Sequence, residues 1–290
     1  MKQIAIIGST ASGKTALSID IATKTNSIIL SLDSLSVYKE INIASAKPTK
    51  DERGDIVHFG IDEVYPDEKF DVIEFFDCYK KATEYAKQND KNLIIVGGTG
   101  FYLKALIEGL SKGFDEDVPL DLPLEEAYKL LTSIDKPYME KIASNDKYRI
   151  EKAYSIYKQS GMAPSKYFEL NPKKPIATDV KIFEILWERE ELRKRIELRT
   201  SMMLDDGIID EVLYLEQKYR RKPNCMSAIG IVETLEYIDG IIKTKKELVD
   251  KIALNTAKLA KRQNTFNKGQ FKEKTSNIIS SLNSDILKLF

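Results

Sequence analysis

The sequence predicts an α/β fold, a parallel sheet flanked by helices with an all-helical subdomain inserted, and three observations predict it. Short apolar runs at residues 4–7, 27–32 and 92–96 alternate with segments of helical period, as in βαβ units. Each run stops at glycine or at small polar residues, at the carboxyl ends of strands, where such sheets bind ligands. From residue 124 to 159 helical period takes over completely, until residues 180–185 alternate as a strand again.

The first run, Ile4-Ala5-Ile6-Ile7, leads into Gly8-Ser9-Thr10-Ala11-Ser12-Gly13-Lys14-Thr15, which fills every fixed position of GxxxxGK[ST]. Residues 14–22 continue as a helix, so the motif sits at a strand-to-helix handover, the setting of a P-loop NTPase-like core. The glycines let backbone N–H groups turn onto phosphate oxygens, and the helix N-terminus adds partial positive charge. Lys14 is expected to reach the outer phosphate and the Thr15 hydroxyl to hold Mg²⁺. The competing reading, a chance glycine-rich turn, is weighed down by the strand before it and the helix after it. A phosphate or diphosphate belongs here; the loop alone does not say whose.

The second run ends on Asp33-Ser34, so Asp33 is expected to look into the same crevice as the loop. Its alternative is the N-cap of a helix over residues 34–41. Ala46-Lys47-Pro48 then breaks the pattern, because proline pushes Lys47 out of the helical region. Residues 57–61 read as a short strand, and residues 72–87 as an amphipathic helix with Ile73, Phe76, Tyr79 and Ala82 on one side. His58, the lone histidine, has no cysteine or histidine partner, which favours structure or substrate contact over metal ligation. The third run enters Gly97-Gly98-Thr99-Gly100, glycines for close backbone approach to a ligand with Thr99 offering a hydroxyl; a tight turn is the alternative. A helix over residues 101–110 follows.

At Ser111 the character changes. Breakers at residues 113–119 and 122–123 precede helices at 124–132, 137–143 and 148–159, and Pro164, Pro172 and Pro175 close the stretch. The expected division is a core of residues 1–112 and 177–290, with a helical C-terminal part, and a helical insertion of residues 113–176 suited to gripping substrate. A charged helix over residues 189–206 puts Arg195 and Arg199 at i, i+4, where two guanidinium forks match a diphosphate; surface pairing with Glu190, Glu191 and Glu197 is the alternative. Helices over residues 208–217 and 246–266 follow.

The chain has 290 residues, 42% hydrophobic and 31% charged, enough for one large or two modest globular domains. No apolar run approaches the ~20 residues of a membrane span. Met1-Lys2-Gln3 runs straight into the first strand without room for a signal peptide, so a cytoplasmic protein is expected. Cys78 and Cys225 lie too far apart for a CxxC pair and read as ordinary reduced thiols. The formal net charge is zero, yet it is segregated. Residues 51–77 carry ten acidic side chains against Arg53 and Lys69, whereas residues 243–274 carry ten basic ones against three acidic, with a further basic cluster at 218–222. Solvated helix faces are one reading; a basic surface for a phosphate backbone is the other.

Taken in order, these stretches resemble the tRNA dimethylallyltransferase family, which places an isopentenyl-type group on an adenine beside the anticodon. The resemblance rests on residues 8–15, Asp33-Ser34 with Val37-Tyr38-Lys39, Ala46-Lys47-Pro48, Gly97-Gly98-Thr99-Gly100-Phe101-Tyr102 leading to Gly109-Leu110, Asn145-Asp146 with Arg149, Arg195 with Arg199 and Met203, and Lys261-Arg262-Gln263. They span nearly the whole chain. The resemblance implies that the loop holds dimethylallyl diphosphate, with Arg199 beside it, and that the acceptor is the N6 amine of adenosine 37 in tRNAs reading codons that begin with U. It implies Asp33 as general base and Thr99 as the hydroxyl orienting amine or base. It also implies tRNA anticodon stem-loop contacts at Asp33, Ser34, Leu35, Ser36, Tyr148, Arg149, Lys152 and near Gly230, an extruded adenine, and a monomer. Lys152 stands where relatives commonly have arginine, and residues 227–232 lack their usual aromatic and basic neighbours of the glycine. The zinc finger of eukaryotic members is absent. Two other functions compete: a small-molecule kinase using ATP, which leaves the insertion and the basic third without a role, and a nucleotide-dependent tRNA-binding switch without chemistry.

Overall fold

The computed structural model describes residues 1–114 and 116–290; Asp115, within the expected breaker segment, lies outside the described residues. Strand β1 (Gln3–Ile7) lies inside a six-stranded parallel sheet of order β3-β2-β4-β1-β5-β6. The other strands are β2 (Ser27–Ser31), β3 (His58–Phe59), β4 (Asn92–Gly97), β5 (Lys181–Ile185) and β6 (Thr275–Asn277). Ile4 faces Ile94 on one side and Lys181 on the other. Helices cover the sheet, so β1, β2 and β4 are buried nearly throughout, and this is why they read as unbroken apolar runs.

After β1 comes α1 (Lys14–Lys24), which buries Leu17 and Ile21 against Ile4, Ile6, Ile29, Ile94 and Val96. The expected helix over residues 34–41 is absent. Asp33 Oδ1 accepts the N–H groups of Leu35 at 2.8 Å and Ser36 at 3.2 Å, but the chain then turns away from helix because Ser36 O and Val37 O accept from the N–H groups of Asp62 and Glu63 and Lys39 N–H donates to Val64 O. One turn, α2 (Lys50–Arg53), starts at Thr49 with a reciprocal Thr49–Glu52 cap. Helix α3 (Val72–Gln88) starts at Asp71 with the same device and buries Phe75, Phe76, Cys78, Tyr79 and Ala82; Ile73, expected on that side, faces solvent at 52% exposure.

Two compact units divide the chain, Met1–Lys104 with Ala177–Phe290, and Ala105–Ile176, the division passing through α4 (Gly100–Glu108). The second unit holds α5 (Leu124–Ile134), α6 (Lys136–Met139), α7 (Lys147–Ser160) and α8 (Pro164–Leu170) around Ala127, Leu131, Met139, Ile150, Ala153 and Tyr154. Pro164, read as closing this stretch, opens α8 instead, at the first helical position where proline's missing N–H costs nothing.

The first unit continues with α9 (Arg189–Asp205), α10 (Ile208–Tyr219), a 3-10 turn (Asn224–Ser227), α11 (Ile231–Ile238), α12 (Lys245–Gln270) and α13 (Ile279–Leu287). Met203, Ile208, Val212, Leu215, Ile231, Leu248 and Ile252 form a second core here with Val37, Tyr38 and Ile41. Glu211 ties the two together: its carboxylate accepts the N–H groups of Asn42, Ile43 and Ala44 at 2.8–2.9 Å.

Candidate active site

The phosphate loop leaves the carboxyl end of β1, and Gly13 caps α1 at φ 87°, a left-handed backbone closed to a side chain because a Cβ would also stand 2.9 Å from Ile279. Ala11 holds φ 61°, the kind of local strain that persists where the surroundings impose it. Those surroundings are four side chains. Trp187 Nε1 donates to Ser12 O at 2.9 Å, and Arg195 Nε donates to Ala11 O at 2.8 Å with its guanidinium 4.5 Å from the Trp187 ring. Arg199 Nη1 donates to Thr10 Oγ1 at 3.2 Å, and Gln263 Oε1 accepts the Thr10 N–H at 2.8 Å. Lys14 Nζ folds back onto Ser9 O at 2.6 Å.

A cavity of about 800 Å³ is lined by Thr10 to Thr15, Asp33, Ser36, Gly98, Arg195, Arg199 and Gln263, with Leu198, Met202 and Leu259 as apolar wall. A second, of about 530 Å³, is lined by Ser34, Leu35, Thr99, Phe101, Met203, Ile229, Arg262 and Phe266. Both include Thr10, Asp33, Gly98, Arg199 and Gln263. Asp33 thus shares one space with the phosphate loop and another with Thr99. Gly8 and Ser9 stand behind the loop, buried, and do not line either space.

Three charges set the electrostatics. Burial and the neighbouring Arg199 guanidinium push the Lys14 ammonium down to about 7, with Asp33 pulling the other way. Burial also lowers Arg199, again against Asp33. Two poorly solvated cations facing one carboxylate make a site short of negative charge, which an anionic ligand supplies. Among the described residues neither arginine pairs with Glu190, Glu191 or Glu197: Glu191 pairs with Lys194 at 3.1 Å and Glu197 with Arg193 at 3.2 Å.

Asp33 Oδ1 is committed to the Leu35 and Ser36 N–H groups, which fixes the carboxylate and leaves Oδ2 for a proton. Gly97, the last residue of β4, has no room for a side chain against the Leu32 backbone, whereas Gly98 is backed by the movable end of the Gln263 side chain. A Cβ on Gly97 would stand 2.6 Å from Leu32, and one on Gly98 2.4 Å from Gln263. His58 lines the first cavity; Ile56 O lies 2.8 Å from its Nδ1 and burial lowers its pKa, holding the ring neutral near pH 7.

Among the described residues no three His, Cys, Asp or Glu side chains gather to hold a metal. The exposed Thr15 hydroxyl at the start of α1 fits an ion such as Mg²⁺ that takes most of its oxygen ligands from a bound diphosphate and water. Both cysteines are buried free thiols, pushed up to about 12 at Cys78 and about 11 at Cys225.

The residues named for RNA contact fall in several settings. Ser34 and Leu35 line the second cavity and Ser36 the first. Gly230 is covered, its N–H donating to Glu233 Oε2 at 2.7 Å, and its neighbours Ser227, Ala228 and Ile229 line the second cavity in its place. In the other unit, α7 presents Tyr148 at 69% exposure and an exposed Arg149, with Lys152 5.7 Å over the Tyr148 ring and paired with Asp117. In the 218–222 cluster, Lys218 bonds Glu40 at 2.7 Å, and Arg221 bonds Asp239 at 2.7 Å and Glu216 at 2.5 Å. Of the C-terminal basic residues, Arg262 borders the cleft and Lys258 does not.

Gln263 and Trp187 were not singled out for these roles by the sequence. A signal for Gln263 existed: with Thr256 it interrupts an otherwise apolar stripe, Ile252, Thr256, Leu259, Gln263 and Phe266, at helical spacing along α12.

A sequence model of the IPP transferase family matches residues 36–270. The tRNA dimethylallyltransferase of Aliarcobacter butzleri is 69% identical over 290 residues, covering 100% of this chain and 99% of that protein. The protein of the same name from Sulfurovum sp. is 50% identical, covering 99% and 98%. In three dimensions the full-length tRNA isopentenylpyrophosphate transferase of Bacillus halodurans superposes with a TM-score of 0.74 at 27% identity, over 99% of this chain and 95% of that one.

Proposed function

The chain belongs to the IPP transferase family, and from that premise we propose that it moves a dimethylallyl group from dimethylallyl diphosphate to the N6 amine of adenosine 37, beside the anticodon, in tRNAs reading codons that begin with U. Prenyl transfer to tRNA, not phosphoryl transfer from ATP, is the reaction class the relatives carry. The observation that supports the reading most is Asp33 standing in one cavity with the phosphate loop, so a short donor spans the distance between a gripped leaving group and a carboxylate.

The diphosphate sits against Lys14, Arg199 and the free N–H groups of the loop. Their charge stabilises negative charge as it develops on the leaving oxygen, the largest electrostatic task of the reaction. Mg²⁺ held by Thr15 and the diphosphate would add to that neutralisation. The N6 nitrogen attacks the allylic C1, the C1–O bond breaks with its electron pair leaving on diphosphate, and N6 gives up one proton. Asp33 Oδ2 takes it. An adenine amine acidifies only as its bond to carbon forms, so the carboxylate acts by placement in the transition state, and the turn holding Oδ1 supplies that placement. Thr99 orients the amine from the second cavity, where Phe101 and Phe266 offer aromatic surface to an extruded purine.

The polynucleotide extends over Ser34, Leu35, Arg262 and the 227–229 stretch, with Tyr148, Arg149 and Lys152 as further contacts. The protein acts as a cytoplasmic monomer; no helix among the described residues is long and apolar enough to cross a membrane. An anticodon stem-loop carrying purine riboside at the target position tests the reading: it should bind yet accept no prenyl group, while the adenosine stem-loop accepts one. Equal labelling of the two would overturn N6 as the acceptor.

A further inference from the structure

Gln263 sits on α12, yet its side chain joins two parts of the site that the sheet alone leaves independent. Oε1 accepts the N–H of Thr10, in the phosphate loop, at 2.8 Å, and Nε2 donates to Gly98 O, in the turn that carries Thr99, at 3.0 Å. A primary amide is the one uncharged side chain group that donates and accepts from adjacent atoms in this way. The turn is shaped to receive it: a Cβ on Gly98 would lie 2.4 Å from Nε2. The same contact withdraws the Thr10 N–H from the donors available to a phosphate, so the loop's grip falls to its remaining N–H groups and to Lys14 and Arg199. Gln263 also lies on the wall common to both cavities.

We propose that Gln263 is a positioning residue: it locks the leaving-group cradle to the Gly98-Thr99 turn at a fixed separation, and so aligns the donor's allylic carbon with the acceptor amine. The proposal rests on the prenyl-transfer reading for its kinetic consequence, though not for the bridge itself. Free of the bridge, the loop still binds diphosphate through its cations, but the reacting atoms lose their alignment, and modest misplacement at such distances costs one to two orders of magnitude in rate.

The test compares wild type with Gln263→Leu and Gln263→Glu. Gln263→Leu should lower kcat at least tenfold per donor-binding site, with donor Kd for dimethylallyl diphosphate within threefold of wild type, and hydrogen exchange should speed up in residues 8–13 and 97–100 while β1 and β4 stay protected. Gln263→Glu accepts from Thr10 but donates to Gly98 only when protonated, so the ratio of its kcat to the wild-type value should rise as pH falls. A kcat within threefold of wild type for Gln263→Leu, or unchanged exchange in the loop, overturns the proposal. So does a flat ratio for Gln263→Glu. If wild type transfers no prenyl group, the reaction assigned above fails, while the exchange measurement still decides whether the bridge holds the loop.

Discussion

Replacing Asp33 by Asn separates the two jobs its carboxylate performs. Oδ1 accepts the Leu35 and Ser36 N–H groups, and an Asn carbonyl oxygen keeps both bonds, so the turn survives. What disappears is the proton acceptor. General-base contributions run at about 10²–10⁴-fold, so kcat should fall by that range, about 3–5 kcal/mol at 1.36 kcal/mol per decade. The substitution also removes the charge that holds the Lys14 ammonium up, so Lys14 titrates below its wild-type value of about 7. Donor affinity should therefore be compared at pH 6 as well as pH 8, and should fall less at the lower pH, where more of Lys14 stays charged. Asp33→Ala should lose the same turnover and, in addition, about 1–3 kcal/mol of stability from the two N–H groups left without their acceptor. Single-turnover prenylation of an anticodon stem-loop at saturating donor measures the chemical step; calorimetric donor titration measures the other effect. A chemical rate for Asp33→Asn within threefold of wild type would refute the role given to Asp33.

Lys14, pushed down to about 7, gains affinity for a proton when diphosphate arrives. Donor binding above pH 7 should take up close to one proton and weaken toward tenfold per pH unit; calorimetry at pH 8 in buffers of different ionisation enthalpy would contradict this by showing no uptake. Arg199→Ala should cost about 10²–10³ in kcat, as loss of one aimed donor at a developing oxyanion does. The exposed Arg195, bonded to the Ala11 carbonyl and stacked on Trp187, should cost less than Arg199 when changed to Ala, and equal losses would argue against the division of labour. Glu211→Ala strips three N–H groups of Asn42, Ile43 and Ala44 of their acceptor and should lower stability by about 1–3 kcal/mol, seen as a drop in Tm and faster exchange over residues 42–48; an unchanged Tm would show that water replaces the carboxylate.

Sequence carried the strands and the phosphate loop because both are local: a buried parallel strand is a continuous apolar run, and the loop is a fixed spacing of glycines ahead of a helix. Failures came where tertiary contacts decide. Residues 34–41 are held out of a helix by pairing with residues 62–64: Ser36 O and Val37 O accept the N–H groups of Asp62, Glu63 and Val64, and Lys39 N–H donates to Val64 O, while Glu211, distant in sequence, accepts those of residues 42–44. Strand β6 is too short to show a period, and it is placed by pairing Thr275 to Asn277 with β5. Charge counts do not reveal partners: within the basic cluster at 218–222, Glu40 pairs with Lys218, and Glu216 and Asp239 pair with Arg221. In the site, Lys14, Asp33 and Arg199 were legible because strand ends and helix spacing place them. The Gln263 bridge was not, because nothing local links residue 263 to residues 10 and 98.

The central claim is that one cleft joins a diphosphate grip to an acceptor carboxylate, and the most direct measurement offers the protein unmodified tRNA with either dimethylallyl diphosphate or ATP. Nucleoside mass spectrometry should find a dimethylallyl gain on the adenosine beside the anticodon, with diphosphate released in equal amount, and no change with ATP. A phosphoryl group transferred from ATP, or diphosphate released without a modified adenosine, would contradict it.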